Sequence, residues 1–338
     1  MRALVTGATG FLGSHIAERL IQRGDSVRAL VRPASRTSFL ESLGGVEFVQ
    51  GDVTQAPTLT TALEGVDVVY HAAAMVSDWG PWRDFKSVTV NGTRNMLKAA
   101  VAAGTPRFLY VSTDGVYRYP DLHHGVTEES PLETRFGPLD YYRRSKTAAE
   151  LIARRFQAAG KIAVSIVRPA LILGERDAAM LPGLIAFLKS SSAAYMGTGR
   201  NVLPCVYAGD VADLCILAAT KPEAVGQTYN AVNPEHVTQR DLLETAAAAI
   251  GVAPPKRSIP FRLLYAIAVG MEAAARVRGW GHRPELTRFS ANLIGLDYVE
   301  SAEKAMRDLG WRPQVSMQEA VRRSVEWARS HRAQPVSG

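Results

Sequence analysis

Short apolar runs alternate with longer amphipathic ones through the first half of the chain, which predicts strands and helices in turn. Strand-like sequence covers residues 2–5, 26–31, 46–50, 66–70, 107–111 and 162–167. Helix-like sequence follows at 14–21, near 57–63, at 84–102 and from Tyr141 onward. Such repetition implies right-handed strand–helix–strand crossovers and a parallel sheet, with ligands gathered at the carboxyl ends of the strands. Beyond the sixth strand the rhythm changes. Residues 178–208 read as a largely apolar helix and loop, and Gly209 starts another helix. Thr238 reads as the N-cap of a helix that runs to Ile250 and stops at Gly251 and Pro254-Pro255. Residues 259–278 form a helix that is apolar on most sides, and helices near 285–293, 301–308 and 316–330 close the chain.

The expected fold class is therefore α/β, a doubly wound parallel sheet with a small, mostly helical C-terminal lobe. Residues 1–175, with late elements from 204–232, would make the sheet domain. Residues 176–203 and 233–330 would make the lobe, and 331–338 a tail.

Candidate chemistry begins at the first turn. Thr6-Gly7-Ala8-Thr9-Gly10-Phe11-Leu12-Gly13 joins the first strand to the first helix. A buried strand that turns through glycines into a helix N-terminus is the geometry that holds a dinucleotide pyrophosphate, since free N–H groups and the helix dipole face the anion. The spacing is G-x-x-G-x-x-G, so the fold is read as Rossmann-type on position as much as on motif. At the end of the second strand an NAD site normally carries Asp or Glu for the ribose 2′-hydroxyl. This chain has Val31-Arg32, with Ser35 and Arg36 beyond. Two guanidinium groups suit a 2′-phosphate, so NADP(H) is favoured over NAD(H). Asp52 and Val53 follow the third strand, with Asp52 placed to meet the adenine. His71-Ala72-Ala73-Ala74 follows the fourth, with small residues where a ribose or nicotinamide lies close to backbone. His71 reads as structural rather than as a base, and Asn91 as a bridge between neighbouring strands or backbone, as much fold-holding as catalytic.

Ser112 and Thr113 end the fifth strand, and Tyr142 and Lys146 lie four apart on the next helix, on one face. Tyrosine titrates near ~10 and is a poor acid or base at neutrality. A neighbouring ammonium lowers that value. With Thr113 holding the substrate oxygen opposite, Tyr142 would exchange a proton with a C–O group while hydride moves to or from a nicotinamide.

Taken in order, TGxxGxxG, Gly-Asp-Val, His-Ala-Ala, Asn-Gly-Thr-x-Asn, Ser-Thr-x-x-Val-Tyr, Tyr-x-x-x-Lys and Arg168-Pro169 resemble the extended short-chain dehydrogenase/reductases over residues 1 to about 330. The resemblance implies Tyr142 as acid/base, Lys146 as partner of Tyr142 and the nicotinamide ribose, and Thr113 as the hydroxyl that polarises the substrate. It places Pro169 and Leu171 on the strand end that runs past the nicotinamide. Asp78-Trp79-Gly80, the 259–278 helix, Pro284-Glu285-Leu286-Thr287-Arg288-Phe289 and Gly310-Trp311-Arg312-Pro313 resemble the 3β-hydroxysteroid dehydrogenase-like branch, which includes reductases of long-chain β-keto lipids. An apolar small-molecule substrate and a homodimer are implied. The rival is a nucleotide-sugar epimerase or dehydratase, and a non-catalytic NADP-binding module is a third reading. Against dehydration, Gly115 stands where an Asp-Glu pair would need its glutamate; against an epimerase, Val31-Arg32 disfavours the tightly held NAD; and Glu175 replaces the proline these families often carry after the glycine equivalent to Gly174.

Bulk properties narrow the partners. The 338 residues carry a net charge of +7, with 47% hydrophobic and 21% charged residues, without a long basic run of the kind nucleic acid binding uses. Two cysteines, Cys205 and Cys215, build neither a metal site nor a disulfide framework. The first strand starts at residue 2, leaving no room for a signal peptide, so a cytoplasmic location is expected. The apolar 263–271 run is too short for a membrane span, but its Arg-flanked character permits peripheral membrane contact.

Overall fold

In the computed structural model, residues 1–118 and 125–331 are described. Seven strands form one parallel sheet in the order β10-β6-β5-β4-β1-β2-β3: β1 (Arg2–Thr6), β2 (Ser26–Val31), β3 (Val46–Gln50), β4 (Val68–His71), β5 (Arg107–Val111), β6 (Ala163–Pro169) and β10 (Thr228–Ala231). The strand order reverses between β1 and β4, which pair as Thr6 with His71, and a crevice opens there at the carboxyl ends.

Alternate residues of β1 serve opposite faces, as strand geometry requires. Ala3 and Val5 join one apolar layer with α1 (Phe11–Gln22) and α7 (Ala208–Thr220). Leu4 joins the other with α4 (Gly92–Ala102) and α5 (Tyr141–Ala158). Both faces are covered, so these strands read as nearly continuous apolar runs. α11 (Glu303–Leu309) returns to the first layer, where Ala305, Leu309 and Trp311 are buried. The expected 233–330 lobe therefore includes residues that pack on the sheet.

Three elements differ from expectation. Residues 57–63 form two 3₁₀ turns, Ala56–Leu59 and Thr61–Leu63, rather than a helix, with Pro57 at the start and three threonines disfavouring a longer one. The 84–102 helix is broken into α3 (Trp82–Phe85), a π-helical stretch Lys86–Asn91, and α4. At Gly92, where α4 resumes, a Cβ would lie 2.8 Å from Val53 Cγ2, so the helix rests directly on the turn after β3. Asn91 bridges no strands: its Oδ1 accepts from Arg94, and Asn95 reaches across instead, donating to the Val53 carbonyl at 2.9 Å.

The lobe has its own apolar cluster, built from α6 (Leu181–Lys189), α8 (Gln239–Ile250) and α12 (Met317–Ser330). Thr238 caps α8 as expected, its Oγ1 accepting from Asp241 N while the Asp241 carboxylate accepts from Thr238 N. Two short parallel pairs stand apart from the main sheet: β7 (Leu171–Leu173) with β9 (Cys205–Tyr207), and, within the lobe, β8 (Ala194–Met196) with β11 (Arg257–Ile259). α9 (Phe261–Arg278) lies on the outside of the lobe with only Ala268, Glu272 and Ala275 buried, and α10 (Arg288–Gly295) packs beside it.

Candidate active site

The glycine turn between β1 and α1 is shaped by close backbone approach. Gly7 has φ +70° and sits against Ala72-Ala73, where a Cβ would come 2.9 Å from Ala73 N. A Cβ on Gly13 would lie 2.1 Å from the Gly7 carbonyl oxygen. Gly10 opens α1 with no side-chain cap and no acidic residue in the first turn, so its N-terminal dipole is left for an outside anion. Thr9 and Gly10 are exposed, Phe11 half-buried and Leu12 buried. This cradle fits a dinucleotide pyrophosphate. Along the crevice, Arg32 and Arg36 are exposed after β2, and Ser35 Oγ accepts from Arg32 N. Asp52 is half-buried and accepts from Thr54 N and Oγ1, Val53 is buried, and Ala72, Ala73 and Ala74 are half-buried. Pro169 ends β6 and Leu171 begins β7 on the same side.

His71 is fully buried between Thr6 Oγ1 at 2.8 Å and Thr93 Oγ1 at 3.0 Å. Burial, with the Lys146 charge adding, brings its pKa down to about 3. It is a neutral structural clamp between β4 and α4, as its strand-end position suggests.

The catalytic candidates converge at the end of β5. Thr113 caps the 3₁₀ turn Asp114–Val116, accepting from Gly115 N at 3.2 Å and donating to Asp114 Oδ1 at 2.9 Å. Tyr142, on the first turn of α5, lies beside Thr113 and meets Phe289 edge-on. Lys146 follows one turn later, 4% exposed, its Nζ donating to the Val111 carbonyl at 2.5 Å and lying over the Tyr110 ring. Electrostatics here differ from the simple expectation. Burial pushes the Tyr142 phenol up to about 12, with Thr113 opposing and the Asp114 charge adding. Burial likewise brings Lys146 down to about 7, against the pull of Glu150. Desolvation is the largest cause of both shifts.

Ser112 and Thr113 separate cleanly. Ser112 Oγ donates to Glu150 Oε2 at 2.6 Å and belongs to a buried network beneath the site. In that network Arg168, wholly buried, binds Glu150 through Nη2 at 2.6 Å and Tyr117 Oη at 2.8 Å, and Tyr117 donates to Asn230 Oδ1. Burial opposes the Glu150 charge, but Arg168 and Ser112 hold its pKa below the ordinary value. Sequence reasoning missed this layer. Glu150 lies four residues past Lys146 on the same helical face, which was the one available signal.

Over the site stands an aromatic wall. Trp79 packs on Trp280 at 5.2 Å and donates to its carbonyl, Trp82 meets Tyr141 at 5.7 Å, and Arg144 covers Trp82. The lobe is tied down by the Arg283–Asp78 ion pair and by Arg288, which pairs with Glu272 inside the lobe and donates to the Pro138 carbonyl. Beside them a cavity of about 170 Å³ is lined by Asp78, Leu139, Arg143, Tyr265, Glu272 and Phe289, among others.

Residues 3–231 match the NAD dependent epimerase/dehydratase family. The chain is 32% identical over 335 residues to the 2-alkyl-3-oxoalkanoate reductase of Stenotrophomonas maltophilia, covering 96% of this chain and 98% of that one. It is 30% identical over 332 residues to the protein of the same name from Shewanella oneidensis, covering 95% and 84%. Among solved structures, that of gox2253 superposes with a TM-score of 0.80 at 30% identity, over 97% of this chain and 98% of the other. With its parallel sheet and glycine turn, the chain belongs to the NAD dependent epimerase/dehydratase family, the extended short-chain dehydrogenase/reductases, and is an NAD(P)-dependent oxidoreductase.

Proposed function

We propose that this enzyme interconverts a secondary alcohol and a ketone on a long-chain β-keto lipid or a sterol-like substrate, with NADP(H), within the 3β-hydroxysteroid dehydrogenase-like branch. The observation that carries the reading is the meeting of Thr113, Tyr142 and Lys146 at the mouth of the glycine-lined crevice. The reductase names of the two curated relatives support the substrate class.

In this reading Gly7, Thr9, Gly10, Phe11 and Leu12 hold the pyrophosphate. Arg32, Ser35 and Arg36 take the 2′-phosphate, and Asp52 and Val53 flank the adenine. Ala72, Ala73, Ala74, Lys146, Pro169 and Leu171 line the nicotinamide end. When bound, the nicotinamide supplies or accepts the hydride. Tyr142 moves the proton at the substrate oxygen, and Thr113 holds that oxygen in place. Lys146, with its pKa brought near neutrality, carries a positive charge in part of the population at pH 7, which the phenolate form of Tyr142 requires.

The aromatic wall suits an apolar chain better than a nucleotide sugar. Arg143 and Arg288, the cations beside the cavity, already bind Asp140 and Glu272, which leaves a diphosphate poorly served. Outside the site, α9 exposes Leu263 (53%), Ile267 (42%), Val269 (42%) and Val277 (90%). The only charges exposed on that helix are Arg262, Arg276 and Arg278. This chemistry fits peripheral contact with an anionic membrane, from which a lipid substrate is drawn. A cytoplasmic homodimer completes the reading; no described helix is long and apolar enough to cross a membrane.

NADPH consumption with a 2-alkyl-3-oxoalkanoate tests the proposal. Tyr142→Phe is expected to lower kcat/KM by roughly 10² to 10⁴-fold. Arg32→Asp is expected to shift preference toward NADH by about tenfold, the loss of one charge-assisted contact. Interconversion of a nucleotide sugar without net NADPH consumption would replace this reading with the epimerase one.

A further inference from the structure

Thr113 has a single hydroxyl proton, and the structure commits it to Asp114 rather than to the crevice. One of its lone pairs accepts from Gly115 N at 3.2 Å. To hold a ketone oxygen, or the partly negative oxygen of the hydride-transfer transition state, Thr113 must donate. Microscopic reversibility makes that requirement the same in both directions. Once the Thr113 proton turns to the substrate, Oγ1 and Asp114 Oδ1 face each other lone pair to lone pair at 2.9 Å, unless Asp114 carries a proton and donates it to Thr113.

Asp114 is 8% exposed and held from its far side by Tyr298, whose hydroxyl donates to Oδ2 at 2.8 Å. Tyr298 is itself buried, on a segment stitched to the site by Val126 N to the Val299 carbonyl at 2.9 Å and Ser301 N to the Val126 carbonyl at 2.8 Å. With Oδ2 occupied as an acceptor, the oxygen left to carry a proton is Oδ1, which faces Thr113.

We propose that Asp114 and Tyr298 are positioning residues for the reaction: Asp114 works as the carboxylic acid, donating to Thr113 so that Thr113 donates to the substrate oxygen, and Tyr298 fixes which carboxyl oxygen does so. The proposal rests on the reading of Thr113 given above. No proton leaves the Asp114–Thr113 pair during turnover; the two hydrogen bonds only reverse direction. The surroundings favour the acid form. Glu300 is buried with neither carboxyl oxygen hydrogen-bonded, and burial, with the Asp114 charge adding, raises its pKa, so the two carboxyls disfavour being ionised together. Burial raises the pKa of Asp114, while the hydrogen bonds from Tyr298, Thr113 and Gly115 and the Arg143 charge oppose the rise. Tyr142 and the Cys205 thiol also feel the Asp114 charge. An ionised Asp114 would also oppose formation of the Tyr142 phenolate.

The test compares pH profiles of kcat/KM for reduction of a β-keto ester by NADPH, in wild type and four variants whose folding is checked by circular dichroism and thermal melting. Asp114→Asn presents Nδ2 to Thr113 as a permanent donor, because Tyr298 claims the amide oxygen. It is expected to keep activity within about threefold and to lose one alkaline limb. Asp114→Ala is expected to lose at least thirtyfold, and Tyr298→Phe five- to twentyfold with that limb displaced. Activity in Asp114→Asn as low as in Asp114→Ala, or an unchanged alkaline limb in Asp114→Asn, overturns the proposal. Thr113→Val separates the two readings: full activity there removes the role of Thr113 itself, whereas a hundredfold loss leaves the Asp114 result to stand on its own.

Discussion

Two regions of the molecule invert the usual rule of apolar inside and polar outside, in opposite senses. Beneath the site, Glu150 and Arg168 are charged side chains with no exposed surface. On α9, four of the eight large apolar side chains exposed among the described residues lie on one eighteen-residue helix. The first inversion is sustained by partners: Glu150 accepts from Ser112, Arg154 and Arg168, and Arg168 also binds Tyr117. The second has no cover among the described residues. Buried charge that is fully paired fixes geometry, whereas uncovered apolar surface implies that something outside supplies the cover.

Breaking the first region gives the largest effect. Arg168→Met would leave the Glu150 carboxylate buried with Arg154, among the described residues, as its one directly paired cation, and removing one member of a buried pair costs about 3–5 kcal/mol. Urea unfolding should show that loss, and the double variant Glu150→Leu/Arg168→Met should recover much of it. If the single variant matched wild type, burial of this pair would not be holding β6 to α5. Ser112 tests the same layer through function. Its hydroxyl serves Glu150, so Ser112→Ala should lower stability by about 1–2 kcal/mol while leaving kcat largely intact, unlike Thr113→Val.

Next in size is a pH effect on the same half of the fold. His71 is neutral in the folded protein, with its pKa lowered from 6.5 to about 3. In the unfolded chain it takes up a proton as pH falls through 6.5, so its stabilising contribution is complete above that value. It is lost progressively as pH falls toward 3, at up to about 1.4 kcal/mol per pH unit. His15, buried and also lowered to about 3, behaves likewise. His71→Gln should flatten the fall in stability between pH 6 and 4 by one proton, read as the slope of unfolding free energy against pH. An unchanged slope would mean that His71 is protonated in the fold.

The two regions also differ in how far they are legible in the sequence. The glycine turn, the six strands through residue 167 and the Tyr142–Lys146 spacing follow from local rules: a strand's length, a helix's period, a residue's need for φ above zero. The Glu150–Arg168–Tyr117 layer does not, because it joins α5, β6 and the β5 turn across 51 residues, from Tyr117 to Arg168, by contacts that leave no periodic trace. Nor does the lowered Lys146, whose value is set by burial rather than by its neighbour in sequence. The helix at 259–278 lies between these cases. Its length and apolar character are plain, and such a helix is ordinarily buried. Which side faces water is decided by packing against α10, which only the fold reveals.

The smallest expected effect on stability is on α9, and it is the sharpest test of the comparison. Leu263, Ile267 and Val277 recur at spacings that set them along one outward stripe, with Gly270 and Ala274 between. A second copy of the chain laid along this stripe in antiparallel fashion would bring Arg262 toward Arg276 and Arg278 of its mate, like against like. An anionic bilayer meets both ends of the helix with opposite charge. Ile267→Ser with Val277→Ser removes apolar surface that already faces solvent, so unfolding free energy should change by less than about 0.5 kcal/mol at each site. Co-sedimentation with phosphatidylglycerol vesicles should fall at least fivefold in the double variant, and salt should weaken wild-type binding. Turnover of a short, water-soluble ketone should stay within twofold of wild type, since neither residue lines the cavity. Equal vesicle binding by variant and wild type would refute the membrane assignment. A wild-type dimer that the double variant dissociates would assign the stripe to a second copy of the chain.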